Sequence, residues 1–190
     1  MTIDEELLNR YKDAFLSGEE IAFAHIYQLL AKDLYAYGLS FHAHHELIED
    51  AIHDVFIKIY TNKMLLQKVN NLKNYFFGVF RHHLFFLIKK ESLHIYMGEN
   101  DYPEQLETNM EEQWIEQEDE SEKKALVNRL MSGLNIHQRE VVYLRYMEGF
   151  SCEEVSKIMK IDVQSVKNLT YRAMKKIKTI LASILTLLIC

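Results

Sequence analysis

The richest hydrogen-bonding chemistry in this 190-residue chain lies near its end, at Gln164, Ser165, Lys167, Asn168, Tyr171, Arg172 and Lys175. Amides and hydroxyls donate to and accept from base edges, and cations grip phosphate oxygens. Projected on a helix, these residues fall opposite Val163, Val166, Leu169, Ala173 and Ile177, an apolar stripe suited to packing on a neighbour. Asp162 is the only acid in that segment. Such a helix fits the major groove of a duplex, N-terminal end first; a merely solvated helix face is the competing reading.

A second group lies further towards the start. Lys63, Gln67, Lys68, Asn70, Asn71 and Lys73 occupy a segment that reads as a loop. In the helical stretch that follows, Leu72, Phe76, Val79, Phe80 and Leu87 share one face, and Asn74, Gly78, Arg81, Phe85 and Lys89 share the opposite one. Cations interleaved with rings suit single-stranded nucleic acid, where charge tracks the backbone and rings receive unstacked bases. Phe76 and Phe80 read as core, whereas Tyr75 and Phe85 fit core and base platform equally.

A third group is acidic. Glu46, Glu49, Asp50 and Asp54 recur at helical spacing next to Val55, which is expected to be exposed, a face suited to a basic partner helix; the same acids also favour the start of their own helix. His42, His44, His45 and His53 with Glu49 offer metal ligands, but surface histidines beside a turn are the commoner arrangement, and no metal or cofactor is expected. Nothing in the chain suggests an enzyme or a small-molecule substrate.

The net charge of −6 conceals a strong segregation. Residues 1–90 carry 10 basic and 11 acidic side chains, residues 91–124 carry 2 and 12, and residues 125–190 carry 10 and 5. Between Val55 and Lys90 there are seven Lys or Arg and no acid. Two basic surfaces thus flank an acidic connector, an arrangement that points to a polyanion partner because neutralised phosphates release counterions. Two cysteines, Cys152 and Cys190, cannot build a disulfide framework, and no charged segment precedes an apolar run at Met1. The expected compartment is the cytoplasm.

Six Gly and one Pro leave few tight turns, so the expected class is all-α. Stripes at Leu7 to Phe15, Ile21 to Leu39, Leu47 to Tyr60 and Leu72 to Ile88 predict an N-terminal helical bundle over 1–95. Residues 96–122, with Pro103, predict an acidic linker in which Leu106, Met110 and Trp114 align on one side. Over 123–190 the pattern predicts a helix-turn-helix domain. Ser151 and Glu154 form a capping box, Lys160 and Ile161 make the turn, and Asp162 caps the last helix. The apolar tail from Thr179 either packs on its own domain or takes a partner.

Three blocks carry a family resemblance. Ile48 to Tyr60 resembles the polymerase-clamp helix of bacterial sigma factors of the sigma-70 superfamily, in the extracytoplasmic-function (ECF) group. Leu72 to Lys90 resembles that family's promoter-melting segment. Leu134 to Lys178, with Gln138-Arg139-Glu140-Val141, Leu144-Arg145-Tyr146 and Tyr171-Arg172-Ala173-Met174-Lys175-Lys176, resembles its minus-thirty-five reader. His53, His82, Phe86 and Asn135 depart from the family's usual residues. The resemblance implies that Glu49, Asp50, His53, Asp54, Val55 and Phe56 meet core RNA polymerase. It assigns Lys63, Gln67, Asn70, Asn71, Lys73, Asn74, Tyr75, Arg81, His82 and Lys89 to melted minus-ten DNA. Arg145, Gln164, Ser165, Lys167, Asn168, Tyr171, Arg172 and Lys175 would read duplex DNA at minus thirty-five. An anti-sigma factor, membrane-linked in some settings, is the further partner implied. The alternative is a helix-turn-helix regulator controlled by a ligand or partner and independent of polymerase.

Overall fold

Apolar residues spaced three and four apart, with little Gly or Pro to interrupt them, leave the helix as the element that satisfies the backbone. The computed structural model describes residues 3–41, 43–95, 127 and 129–189, and every regular element among them is helical. The N-terminal bundle comprises α1 (Ile3–Leu16), α2 (Ile21–Leu39), α3 (His45–Thr61), a 3-10 turn (Lys63–Leu66) and α4 (Leu72–Ile95). The C-terminal part comprises α5 (Ile136–Val142), continued by a π turn (Tyr143–Met147), then α6 (Cys152–Met159) and α7 (Val163–Ile189). The expected linker, with Leu106, Met110 and Trp114, lies outside the described residues.

Aromatic packing holds the bundle. Phe23 meets Phe15 at 4.7 Å and Phe56 at 5.7 Å between ring centroids, and Phe56 meets Phe76 at 4.8 Å. Phe76 and Phe80 are fully buried, as their stripe predicts, and so is Phe77. Lys73 falls inside α4 rather than in a preceding loop. The Asn71 side chain caps this helix by accepting from the Asn74 backbone N–H at 2.8 Å.

In the C-terminal lobe the local chemistry sets each boundary. Asn135 and Gln138 form a capping box at the start of α5, and Ser151 with Glu154 forms another at α6. Gly149, at φ +74°, lets the chain reverse between the π turn and α6. Lys160 ends α6 in the left-handed region at φ 55°, where a side chain is strained and glycine is not. Asp162 then starts α7: its carboxylate accepts from the Ser165 N–H at 2.8 Å and from the Ser165 hydroxyl at 2.6 Å. The apolar tail extends α7 to Ile189, and Ile180 packs so closely on Gly133 that a Cβ there would come within 2.3 Å of it.

Replacing Lys160 by glycine relieves the left-handed strain, offset in part by the greater entropy glycine loses on folding. Lys160→Gly is expected to stabilise the protein by about 0.5 kcal/mol, seen as a rise in Tm of a degree or two. An unchanged or lower Tm would show that the turn is not strained.

Candidate nucleic-acid interface

The surface of α7 is built as its sequence demands. Gln164, Lys167, Asn168, Arg172 and Lys175 are exposed, Tyr171 is 70% exposed, and Val166 and Ala173 are buried beneath them. The Gln164 amide donates to Asn168 at 3.2 Å, which fixes two amide side chains side by side on the exposed face. Ser165 is half-buried and bound to Asp162, whose carboxyl is held below its usual range by the hydrogen bonds from Ser165. Arg145 does not join this surface. Its guanidinium donates to the Phe150 carbonyl and braces the turn before α6, a local role that outcompetes reach towards a duplex.

On α3 the helical period divides the expected partner face in two. Glu49, Asp50, His53 and Asp54 are exposed. Glu49, Asp50 and His53 edge a groove of about 440 Å³ whose wall is completed by Tyr27, Ala31, Tyr35 and Ile52. Asp54 also accepts from His83 Nε2 at 2.8 Å. Val55 and Phe56 are placed otherwise: they are 1% and 4% exposed and belong to the core. A partner cannot reach them without opening the bundle, because their positions turn them towards α2 and α4.

The expected single-strand face of α4 is divided too. Lys63, Gln67, Asn70, His82 and Lys89 are exposed, and Tyr75 is half-buried with its hydroxyl pKa raised by burial. Phe85 lies under the Arg81 guanidinium, 4.8 Å from its ring centroid, and edge-on to Phe41. Asn71, Lys73, Asn74 and Arg81, by contrast, all point into the C-terminal lobe. Asn71 donates to Glu154 at 2.8 Å and to Glu5 at 3.2 Å, and the Asn74 amide donates to the Glu154 carbonyl at 3.1 Å. Lys73 pairs with Glu148 at 2.7 Å and Asp33 at 3.3 Å, with its ammonium 5.8 Å from the Phe77 and Phe150 ring centroids. α6 passes close to Gly78: a Cβ there would stand in ordinary van der Waals contact, 3.9 Å from Ile158 Cα.

At the centre of this contact lies Glu140, which is fully buried. The Tyr37 hydroxyl donates to its Oε1 at 2.8 Å, Arg81 Nε donates to the same oxygen, and Arg81 Nη2 donates to Oε2 at 3.3 Å. Burial by itself pushes the Glu140 carboxyl pKa up. His137, the Arg81 charge and the hydrogen bonds from Arg81 and Tyr37 outweigh it, and the pKa falls below the ordinary 4.5. Of these, Arg81 and Tyr37 stand at hydrogen-bond distance, whereas His137 Nδ1 is 3.9 Å away. Burial, and next the neighbouring carboxylate, raise the Tyr37 hydroxyl well above its usual value. Neither Tyr37 nor Glu140 stands out in the sequence as a site residue; a charged group set against Val141 and Val142 is the only signal.

Residues 124–177 match the family model for sigma-70, region 4. The match places a sigma-70 region 4 domain in the C-terminal part of the chain. No curated protein sequence matches it. Among solved structures it resembles the sigma factor RpoE of Bartonella quintana in complex with the anti-sigma factor NepR. That match has a TM-score of 0.60 and 21% identity and covers 84% of this chain and 96% of that one. It also resembles CnrH in complex with the cytosolic domain of CnrY, with a TM-score of 0.60 and 17% identity, over 95% of this chain and 97% of that one. At these identities the likeness is one of fold, and it spans both lobes. Among the described residues, no helix is long and apolar enough to cross a membrane, and no cluster of three or more His, Cys, Asp or Glu could hold a metal.

A sign follows for the pH response. The folded pKa of Glu140 lies below its unfolded value, so its contribution is present above about pH 4.5 and is lost as pH falls through the folded pKa. Thermal melts down the acid range are expected to show this loss in the wild type. Glu140→Gln, which cannot titrate there, should be less stable near neutrality and show a shallower acid limb. Parallel acid limbs would remove Glu140 from the ion network.

Proposed function

We propose that this chain is an ECF-type sigma factor that brings core RNA polymerase to promoters by reading minus-thirty-five duplex and minus-ten melted DNA. The observation that carries this reading is α7: a capped helix, beginning inside the segment that matches sigma-70 region 4, whose exposed face holds amides and cations and no acid after Asp162. Arg172, Lys167 and Lys175 would grip phosphates, while Gln164 and Asn168 would read base edges. The exposed acids of α3, Glu49, Asp50 and Asp54 with His53 beside them, would meet a basic helix of the polymerase. Lys63, Gln67, Asn70, His82 and Lys89 would start contact with the melted strand, and Asn71, Lys73, Asn74, Tyr75 and Arg81 would complete it. The chain's task is recognition, in the cytoplasm, without a cofactor. The similar structure from Bartonella quintana is of a sigma factor in complex with an anti-sigma factor. A protein inhibitor of that class is a proposed partner here.

Run-off transcription from genomic fragments with purified core polymerase tests the reading. Transcripts that need this protein are expected. Arg172→Ala should reduce them and lower the slope of log affinity against log salt by about one. Absence of any protein-dependent transcript, or unchanged affinity of the variant at every salt concentration, would contradict the assignment.

A further inference from the structure

A cavity of about 410 Å³ opens beside α7, with Arg81, His137, Asn168 and Arg172 as the main polar groups of its wall. Its volume falls in the range of roughly 300–1,000 Å³ that small-molecule sites occupy. The apolar part of the wall is Met159, which is buried, with Ile161 and Leu169, which are half-buried. No carboxylate lines it. The two acids of the adjoining segments are already occupied: Glu140 accepts from Arg81 and Tyr37, and both Asp162 oxygens accept from Ser165. Donors, by contrast, remain. Arg81 meets Glu140 through Nε and Nη2, which leaves Nη1 outside that pair. Asn168 Oδ1 accepts from Gln164, so its Nδ2 amide is the half left to donate outwards. Arg172 is exposed, and α7 holds no acid to pair with it.

We propose that this cavity binds a small organic anion, a carboxylate or phosphate ester carried on an apolar body, and that its occupant competes with duplex DNA for α7. The two guanidiniums and the amide supply planar, directional donors that match the oxygens of such a head group better than a point charge does. Met159, Ile161 and Leu169 take the body, whose transfer from water supplies affinity that inorganic phosphate or a DNA backbone phosphate, having no apolar part, does not gain there. Asn168 and Arg172 belong to this wall and to the face of α7 assigned above to duplex DNA, so one side chain cannot satisfy both ligands together. The competition rests on that reading of α7. The anion site does not, because it follows from the cavity and its donors alone.

Calorimetric titration of the full-length protein with 1-naphthyl phosphate, 1-naphthoate and the neutral 1-naphthalenemethanol tests this. At least one anion is expected to bind about tenfold more tightly than the alcohol, and the tighter of the two identifies the head group. Arg172→Gln, at an exposed position that the fold does not need, should weaken that anion about tenfold. Lys178→Gln removes an exposed cation of α7 outside the cavity and should leave the affinity unchanged. No binding of either anion, an alcohol that binds as well, or equal losses in the two variants would overturn the site, the last by showing general attraction to a basic helix. At saturation the tighter anion should also weaken binding of fluorescein-labelled duplex DNA several-fold, read by anisotropy. Undiminished duplex affinity would overturn the competition. A wild type that binds no duplex at all would contradict the reading of α7 as a duplex reader, while the titrations still decide the cavity.

Discussion

A carboxylate with no exposure to solvent organises this molecule. Taking Glu140 out of water costs several kcal/mol unless charge and hydrogen bonds replace hydration, and the replacements come from the other lobe, as the Arg81 guanidinium and the Tyr37 hydroxyl. The pairing constrains both lobes. α5 must present Glu140 from its inner face, which its capping box at Asn135 makes possible, and α4 must turn Arg81 away from solvent. Around that centre Lys73 repeats the arrangement with Glu148 and Asp33, and two aromatic pairs exclude water. The ionic contacts need good geometry to be worth their desolvation, so they specify one arrangement of the lobes more than they add stability.

Helical periodicity explains why one short helix can serve both core and partner. On α3, Val55 and Phe56 fall on the inner side while Asp50, His53 and Asp54 fall outside. The acids can therefore change partners without disturbing the packing of Phe56 against Phe23 and Phe76. α7 obeys the same rule: Val166 and Ala173 anchor it, so its polar face can be remodelled for different sequences at little cost to the fold.

Much of this was legible from residue types alone, and the exceptions share a physical cause. Capping boxes, the two-residue turn and the stripes are local, so Ser151–Glu154, Asp162 and the buried Phe76 and Phe80 follow from spacing. Val55 and Phe56 were misplaced because a motif read as a string ignores that adjacent helical residues diverge by a hundred degrees. Arg145 was misplaced because the carbonyl that claims it belongs to a turn whose path depends on Gly149 at positive φ. The Tyr37–Glu140–Arg81 contact is the least legible part. Its partners are 59 and 103 residues apart in sequence, so the α4 face that holds Asn74, Gly78 and Arg81 carries no local sign of the lobe packed against it.

The Tyr37–Glu140–Arg81 contact holds the two lobes in one arrangement. Fluorescence energy transfer between one dye at Ile21 on α2 and another at Lys178 on α7, both exposed, reports that arrangement directly. A single transfer efficiency is expected for the wild type, and a lower or broader one for Glu140→Ala, which removes the carboxylate that both donors share. An efficiency that Glu140→Ala leaves unchanged would contradict the account.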